Sequence, residues 1–219
     1  MESCCNALDI SVVKRPMRNG LSPENCFLKR MFDILISFIG LLVVWPLILL
    51  GWVAATMSTH RNGFFIQTRV GLHGKPFKLF KLRSMRACND LRSTVTTRHD
   101  PRITRVGRIL RRTKVDELPQ LLNVLLGHMS IVGPRPDVPG FADRLSGDDL
   151  IVLSIRPGIT GPATLEFRNE EELLSSQSDP DRYNREVIWP RKVELNREYV
   201  ANYSFWKDFG YIWRTIART

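Results

Sequence analysis

From residue 34 to residue 57 the chain carries no charged side chain and consists mostly of Leu, Ile, Val, Phe and Trp. A run of that length can cross a hydrocarbon core of about 30 Å. Pro46 interrupts it near the middle and removes one helical hydrogen bond. Basic residues flank it on both sides, Lys29 and Arg30 before, His60 and Arg61 after. Basic flanks mark the cytoplasmic side, so both ends are expected there. A kinked single span and a helix that enters, bends at Pro46 and returns are both open readings. Asp33 stands just inside the apolar boundary, where an isolated charge is costly, and is expected to pair with Arg30.

Beyond residue 62 the period changes. FFIQTRV and FKLFKLRSM alternate apolar and polar positions around GLHGKP, a turn-former with two glycines and a proline, which predicts a β-hairpin over residues 63–85. Phe77, Leu79 and Met85 mark one face of the second strand and Lys78 the other. The alternation shifts over residues 80–84, which predicts a bulge. Gln67, Arg69, Lys81 and Arg83 fall on these strands and read on their own as a solvated, basic strand face. Residues 86–101 are polar and turn-like, a candidate loop over a site, and His99 within them is expected at the surface.

Leu118, Leu121, Leu122 and Leu125 then fall at i, i+3, i+4 and i+7, which predicts a helix with one apolar stripe facing a core. It has two candidate starts. Thr113 with Asp116 fits a capping box, whereas Asp116 as the N-cap puts Pro119 harmlessly in the first turn. Either start places Asp116 and Glu117 in the positive field of a helix N-terminus. Arg102, Arg105, Arg108, Arg111 and Arg112 lead into this acidic pair, and Gly133-Pro134-Arg135-Pro136 follows as a stiff turn presenting one guanidinium. Arginines grip phosphoryl oxygens in bidentate fashion, while a carboxylate can attack phosphorus or hold a metal. On spacing alone, a helix cap remains an open reading for Asp116.

Residues 137–185 hold a short helical pattern, the loop RPGITG beginning at Arg156, and an acidic polar stretch at 169–182 that reads as a surface excursion. Residues 187–219 read as two helices. Pro190 suits an N-terminal helical position, with Val193, Asn196, Tyr199 or Val200, and Tyr203 along one side. The second helix carries Phe205, Trp206, Phe209, Ile212, Trp213 and Ile216, with Lys207, Arg214 and Arg218 toward the other side. That composition suits the plane of a membrane surface, or packing on the core. Residues 1–26, broken by Pro16, Asn19, Gly20 and Pro23, read as a flexible tail without the basic start of a signal peptide.

The net charge of +10 implies an anionic partner: nucleic acid, an anionic membrane face or a phosphorylated substrate. The apolar run argues against nucleic acid. Cys4, Cys5, Cys26 and Cys88 show no CxxC spacing, which points to reduced thiols rather than a metal site or a disulfide framework.

Four segments in this order, FDILISFIGLLVVWPLILL, GFFIQTRVGLHGKPFKLFKLRSM, DPRITRVGRILRRTKVDELPQLLNVLLGHMSIVGPRP and RPGITGPA, resemble the bacterial sugar transferases, the monotopic phosphoglycosyl transferases, over residues 27–168. The resemblance implies an α+β fold, mainly helical with a small β-hairpin. It implies a flexible tail (1–26), a re-entrant membrane helix broken at Pro46 (27–60) and a cytoplasmic catalytic domain (61–219) ending in interfacial amphipathic helices. Lys29, Arg30, Asp33, Trp45 and Pro46 would be the membrane determinants. Where relatives commonly carry Ser before the proline this chain has Trp45, which cannot take up a carbonyl freed by a kink. The implied reaction moves a sugar-1-phosphate from a UDP-sugar to a polyprenyl phosphate and releases UMP. Asp116 and Glu117 match the catalytic dyad and would also hold Mg²⁺. Arg111, Arg135, Lys81, Arg83 and Arg156 are candidates for binding substrate phosphates. His128 replaces a common Asp, and Pro162 onward departs from the usual Trp-Ala-Gln. The implied partners are the UDP-sugar, the polyprenyl phosphate, inner-membrane lipids and a second copy in a homodimer, with no nucleic acid. The implied place is the cytoplasmic face of a bacterial inner membrane.

Overall fold

The computed structural model describes residues 21–87 and 100–217. Helix α1 (Pro23–Thr59) is assigned without interruption, with Pro46 inside it. Ser22 caps it by accepting from Asn25 N at 3.4 Å, and Pro23 takes a first-turn position, where its missing N–H costs nothing. Pro23 therefore starts a helix rather than breaking one, and most of the expected tail lies outside the described residues.

The buried positions of α1 cluster at its two ends, at Lys29, Asp33 and Ser37 and again at Gly51, Ala55 and Thr59. No residue from 41 to 50 is buried. The two ends are held by different parts of one globular domain. Near the start, Arg30 donates to the carbonyls of Val124 and Leu125 at 2.7 and 2.9 Å. Near the end, Ala55 packs with Leu82 and Leu110, joined by Trp52 and Val115. Asp33 does not pair with Arg30. Its carboxylate accepts from Ser130 Oγ at 3.0 Å and Ile131 N at 2.9 Å, while Arg30 is turned toward the carbonyls of Val124 and Leu125. Lys29 is carried to Asp208 at 2.5 Å, and Tyr199 donates to the same carboxylate at 2.8 Å.

Strands β1 (Phe64–Val70) and β2 (Pro76–Leu82) form the expected antiparallel hairpin around a single turn of 3₁₀ helix at Leu72–Gly74. Pairing is one-to-one from Phe64↔Leu82 to Val70↔Pro76, so the hairpin holds no bulge. The shift of pattern instead reflects two burial surfaces, Phe77 and Leu79 in the main core and Leu82 against α1.

Helix α2 (Arg105–Arg112) begins at Thr104, whose side chain accepts from Gly107 N, and a 3₁₀ turn, Val115–Glu117, follows. Helix α3 (Gln120–Leu125) buries Gln120, Asn123 and Val124, not the leucine stripe. Asn123 does a strand's work there. Its amide accepts from Phe80 N at 2.9 Å and donates to Lys78 O at 2.7 Å, sealing the outer edge of β2. Leu121 is turned toward Gly40 of α1, and Leu122 and Leu126 are exposed.

A second sheet was not legible as such. Strands β3 (Ser130–Val132) and β4 (Gly158–Thr160) pair in parallel, so the expected RPGITG loop is largely a strand beside GPRP. Close approach explains the glycines: a Cβ on Gly158 or Gly161 would collide with the backbone of Gly133. The acidic stretch at 169–182 contains helices α5 (Glu170–Ser175) and α6 (Pro180–Tyr183), after α4 (Pro162–Glu166). Helices α7 (Trp189–Ala201) and α8 (Phe205–Ala217) are the two expected at the C-terminal end. Helix α7 buries Val193, Asn196, Tyr199 and Val200, while α8 exposes Trp206 and Trp213 by 78% and 70%.

Candidate active site

The acidic pair sits in a turn between two short helices. Thr113 ends α2, its hydroxyl donating to the carbonyl of Ile109 at 2.9 Å, and Lys114 then adopts a left-handed conformation at φ 58°. That reversal lets Val115 join the apolar cluster against α1, and Pro119 stops the turn from running directly into α3. Both expected caps are thereby corrected. Thr113 closes α2 instead of opening a capping box, and Asp116 lies inside the 3₁₀ turn with no capping bond. The helix after it has only six residues and starts at Gln120, so side-chain cations supply the positive field there.

Asp116 is buried, and its Oδ1 has no hydrogen-bond partner among the described residues. Burial and the neighbouring Glu117 push its carboxyl up to about 6, against the pull of Lys81, Arg111 and Lys114. At pH 7 the group is still mostly ionised. Glu117 responds oppositely. Burial disfavours its charge, yet Arg135, Lys114 and Lys81 together hold it below the usual range. Arg135 Nη2 stands 3.4 Å from Glu117 Oε1, an ion pair more than a good hydrogen bond. Burial and the nearby Arg69 lower Lys81 to about 8.

Behind these groups a second row ties the hairpin to the GPRP turn. Arg69 donates to Pro136 O at 3.1 Å and Gln67 Oε1 at 2.8 Å, and Val70 N donates to Asp137 O at 2.9 Å. Burial raises the Asp137 carboxyl to about 6, despite Lys192, Arg69 and Arg135 nearby. Arg111 is ion-paired to Glu171 at the start of α5 and reaches Ser84 Oγ at 3.5 Å. The adjacent Glu170 is fixed by Lys192 at 2.7 Å.

Of the phosphate-binding candidates, Lys81, Arg111 and Arg135 act electrostatically on the acidic pair. Arg83 and Arg156 are engaged elsewhere. Arg83 donates to Asn62 O at 2.8 Å and lies over the Phe65 ring, and Arg156 donates to Gly127 O at 2.8 Å. His128 stacks on Phe77. Lys114, Asp137, Glu171 and Asn123 were missed from the sequence. Only Asn123 carried a signal, a single amide inside LLNVLL, and Asp137 a weaker one, directly after GPRP.

Among the described residues, no three His, Cys, Asp or Glu side chains stand together as a metal group. The unpartnered Asp116 Oδ1 beside Glu117 fits a cation completed by substrate phosphates, which is how Mg²⁺ is commonly held.

Helix α1 is long and apolar enough to cross a membrane, and the buried Asp116 carboxylate stands within the electrostatic reach of Lys81, Arg111 and Lys114. The bacterial sugar transferase family model matches residues 24–219, and the chain belongs to that family. It is 37% identical over 201 residues to the UDP-glucose:undecaprenyl-phosphate glucose-1-phosphate transferase of Escherichia coli K12, covering 90% of this chain and 41% of that protein. It is 39% identical over 197 residues to the exopolysaccharide production protein PSS of Rhizobium leguminosarum, covering 86% and 93%. It is 35% identical over 219 residues to the undecaprenyl-phosphate galactose phosphotransferase of Salmonella typhimurium, covering 91% and 42%. The chain thus spans about two fifths of the Escherichia coli and Salmonella relatives.

Proposed function

We propose that the protein is a phosphoglycosyl transferase that moves a sugar-1-phosphate from a UDP-sugar to a polyprenyl phosphate and releases UMP. The observation that carries this reading is Asp116 Oδ1, a buried oxygen with no partner, facing a field of cations. Family membership supports the class of reaction, and the relatives named for undecaprenyl phosphate support the acceptor.

The course has two displacements. Lys81, Arg111 and Arg135 grip the diphosphate, and the donor takes the place of Glu171 on Arg111. Asp116 attacks the β-phosphorus, the bond to the bridging oxygen breaks, and UMP leaves with its electron pair. An oxygen of the polyprenyl phosphate then attacks the phosphosugar on Asp116 and restores the carboxylate. The cations offset the repulsion between an anionic nucleophile and an anionic diphosphate. Mg²⁺, held by Asp116 and Glu117 with the donor phosphates, would add charge neutralisation.

Helix α1 enters and leaves the cytoplasmic face of the inner membrane without crossing. Two facts support this. Both ends of α1 are fastened to one domain, at Arg30 and Asp33 and again at Ala55, whereas a crossing helix would put them on opposite sides. The exposed middle contains Pro46, which leaves the Leu42 carbonyl without its helical donor, a natural place for the bend. The aromatic face of α8 lies at the lipid surface beside it.

The test is a donor panel headed by UDP-glucose and UDP-galactose, with undecaprenyl phosphate in nanodiscs, reading UMP. Wild type turns over at least one donor, and Asp116→Asn loses rate by orders of magnitude. A wild type silent with every donor contradicts the reading.

A further inference from the structure

A groove of about 520 Å³ opens where α1 ends, lined by Met57, Ser58 and His60 of that end, by Arg86, by Arg102 in the turn before α2 and by Arg105 at the start of α2. Neither Asp116 nor any cation facing it lines this groove. We propose that it is a binding site for the phosphate headgroup of an anionic membrane phospholipid.

Charge comes first. Arg102 is held by Asp100 through contacts of 2.6–3.2 Å and adds little net charge. Among the described residues, no hydrogen bond or ion pair holds the guanidinium of Arg86 or Arg105. The floor is already satisfied. Ser58 Oγ lies 3.3 Å from Thr104 Oγ1, and Thr104 Oγ1 accepts from Gly107 N at 2.8 Å. Two free guanidiniums over a closed floor suit a phosphodiester, which accepts from both at once.

The rim says that the phosphate belongs to a lipid. Met57 closes the apolar run of α1 and is 72% exposed, and Ile109, one turn beyond Arg105 on α2, is 63% exposed. Exposed apolar side chains close to these cations match an acyl chain next to its headgroup. The proposal rests on α1 lying in lipid. It excludes the acceptor as occupant because the acceptor's phosphate must reach Asp116, and no residue of that site lines the groove.

Each basic side chain near an anionic leaflet contributes about fivefold in affinity, ~1 kcal/mol, so two arginines contribute about 25-fold. The experiment uses the full chain with vesicles of phosphatidylcholine alone or mixed with phosphatidylglycerol, and native mass spectrometry of the lipids that remain bound. Wild type retains phosphatidylglycerol, and Arg86→Gln/Arg105→Gln binds the mixed vesicles about 25-fold more weakly while matching wild type on phosphatidylcholine. Arg182→Gln/Arg185→Gln, on the surface near α6, keeps wild-type affinity. Equal phosphatidylglycerol affinity in the groove variant, or an equal loss in the control, overturns the proposal. So does inorganic phosphate binding as tightly as a short-chain phosphatidylglycerol, which assigns the groove to free phosphate. A groove variant that only raises the KM for polyprenyl phosphate assigns it to the acceptor and also overturns the proposal. A wild type that fails to bind phosphatidylcholine vesicles at all sinks the membrane reading of α1 instead.

Discussion

The clamp between α1 and α8 can be broken one charge at a time. Lys29 and Asp208 meet at 2.5 Å with side chains 8% and 2% exposed. Removing one partner of a buried ion pair costs about 3–5 kcal/mol, because the other charge is left in a medium that solvates it poorly. The two substitutions are not equivalent. In Lys29→Met the carboxylate of Asp208 keeps Tyr199 at 2.8 Å and Tyr203 at 3.4 Å, so the loss belongs at the low end, ~3 kcal/mol. In Asp208→Asn the ammonium keeps Tyr199 at 3.4 Å and the face of the Tyr203 ring at 5.5 Å, neither of which carries a charge, and the loss approaches ~5 kcal/mol. For a chain of this size each kcal/mol moves the unfolding midpoint by roughly 2–4 °C, so Lys29→Met falls by about 6–12 °C and Asp208→Asn by more. The double variant removes both charges of the pair and is more stable than Asp208→Asn alone. The assay is thermal unfolding in nanodiscs at one scan rate and, separately in sealed vesicles of known orientation, labelling of native Cys26, in the first turns of α1, by a membrane-impermeant maleimide in a variant lacking the other cysteines. Cys26 is labelled from the cytoplasmic side in wild type and gains periplasmic labelling once the clamp is broken. Single losses under about 2 °C, or strictly additive losses in the double variant, refute the reasoning.

Three further outcomes follow from the same structure. The rate of UMP release without acceptor falls as pH drops through about 6, where Asp116 protonates, and again as pH rises through about 8, where Lys81 loses its charge. Asp137→Asn keeps the acid limb; an acid limb that vanishes in that variant assigns it to the wrong carboxylate. Asn123→Leu leaves Phe80 N and Lys78 O unpaired at the edge of β2, costing ~2–5 kcal/mol and lowering the midpoint by roughly 4–20 °C; an unchanged midpoint contradicts the edge-sealing role. Trp206→Ser/Trp213→Ser loosens membrane association in high salt, and fractionation like wild type shows that the exposed face of α8 does not meet lipid.

Local pattern carried the elements whose partners lie close in sequence. The hairpin and the last two helices follow from alternation, turn residues and Pro190, because neighbouring residues decide them. Long-range pairing was hidden. β3 and β4 are three residues each and meet across 28 positions, so neither has a period of its own to read. The leucines of α3 misled for a physical reason. A stripe marks an apolar neighbour without saying which: Leu121 packs on the main core and against Gly40 of α1, Leu122 is exposed, and the polar Asn123 is fully buried. The dyad and its arginines were visible as types in order. The ion pairs of Lys29 with Asp208 and Arg111 with Glu171 span 179 and 60 positions and could come only from the fold.

The central claim is the covalent role of Asp116, and one measurement reaches it directly. The protein is incubated with a UDP-sugar labelled in the sugar, without polyprenyl phosphate, then digested and mapped. The account predicts UMP release matched by label on the peptide containing Asp116, with neither in Asp116→Asn. Wild type that releases no UMP and carries no label until acceptor is added would mean a direct displacement, with Asp116 never bonded to the sugar phosphate.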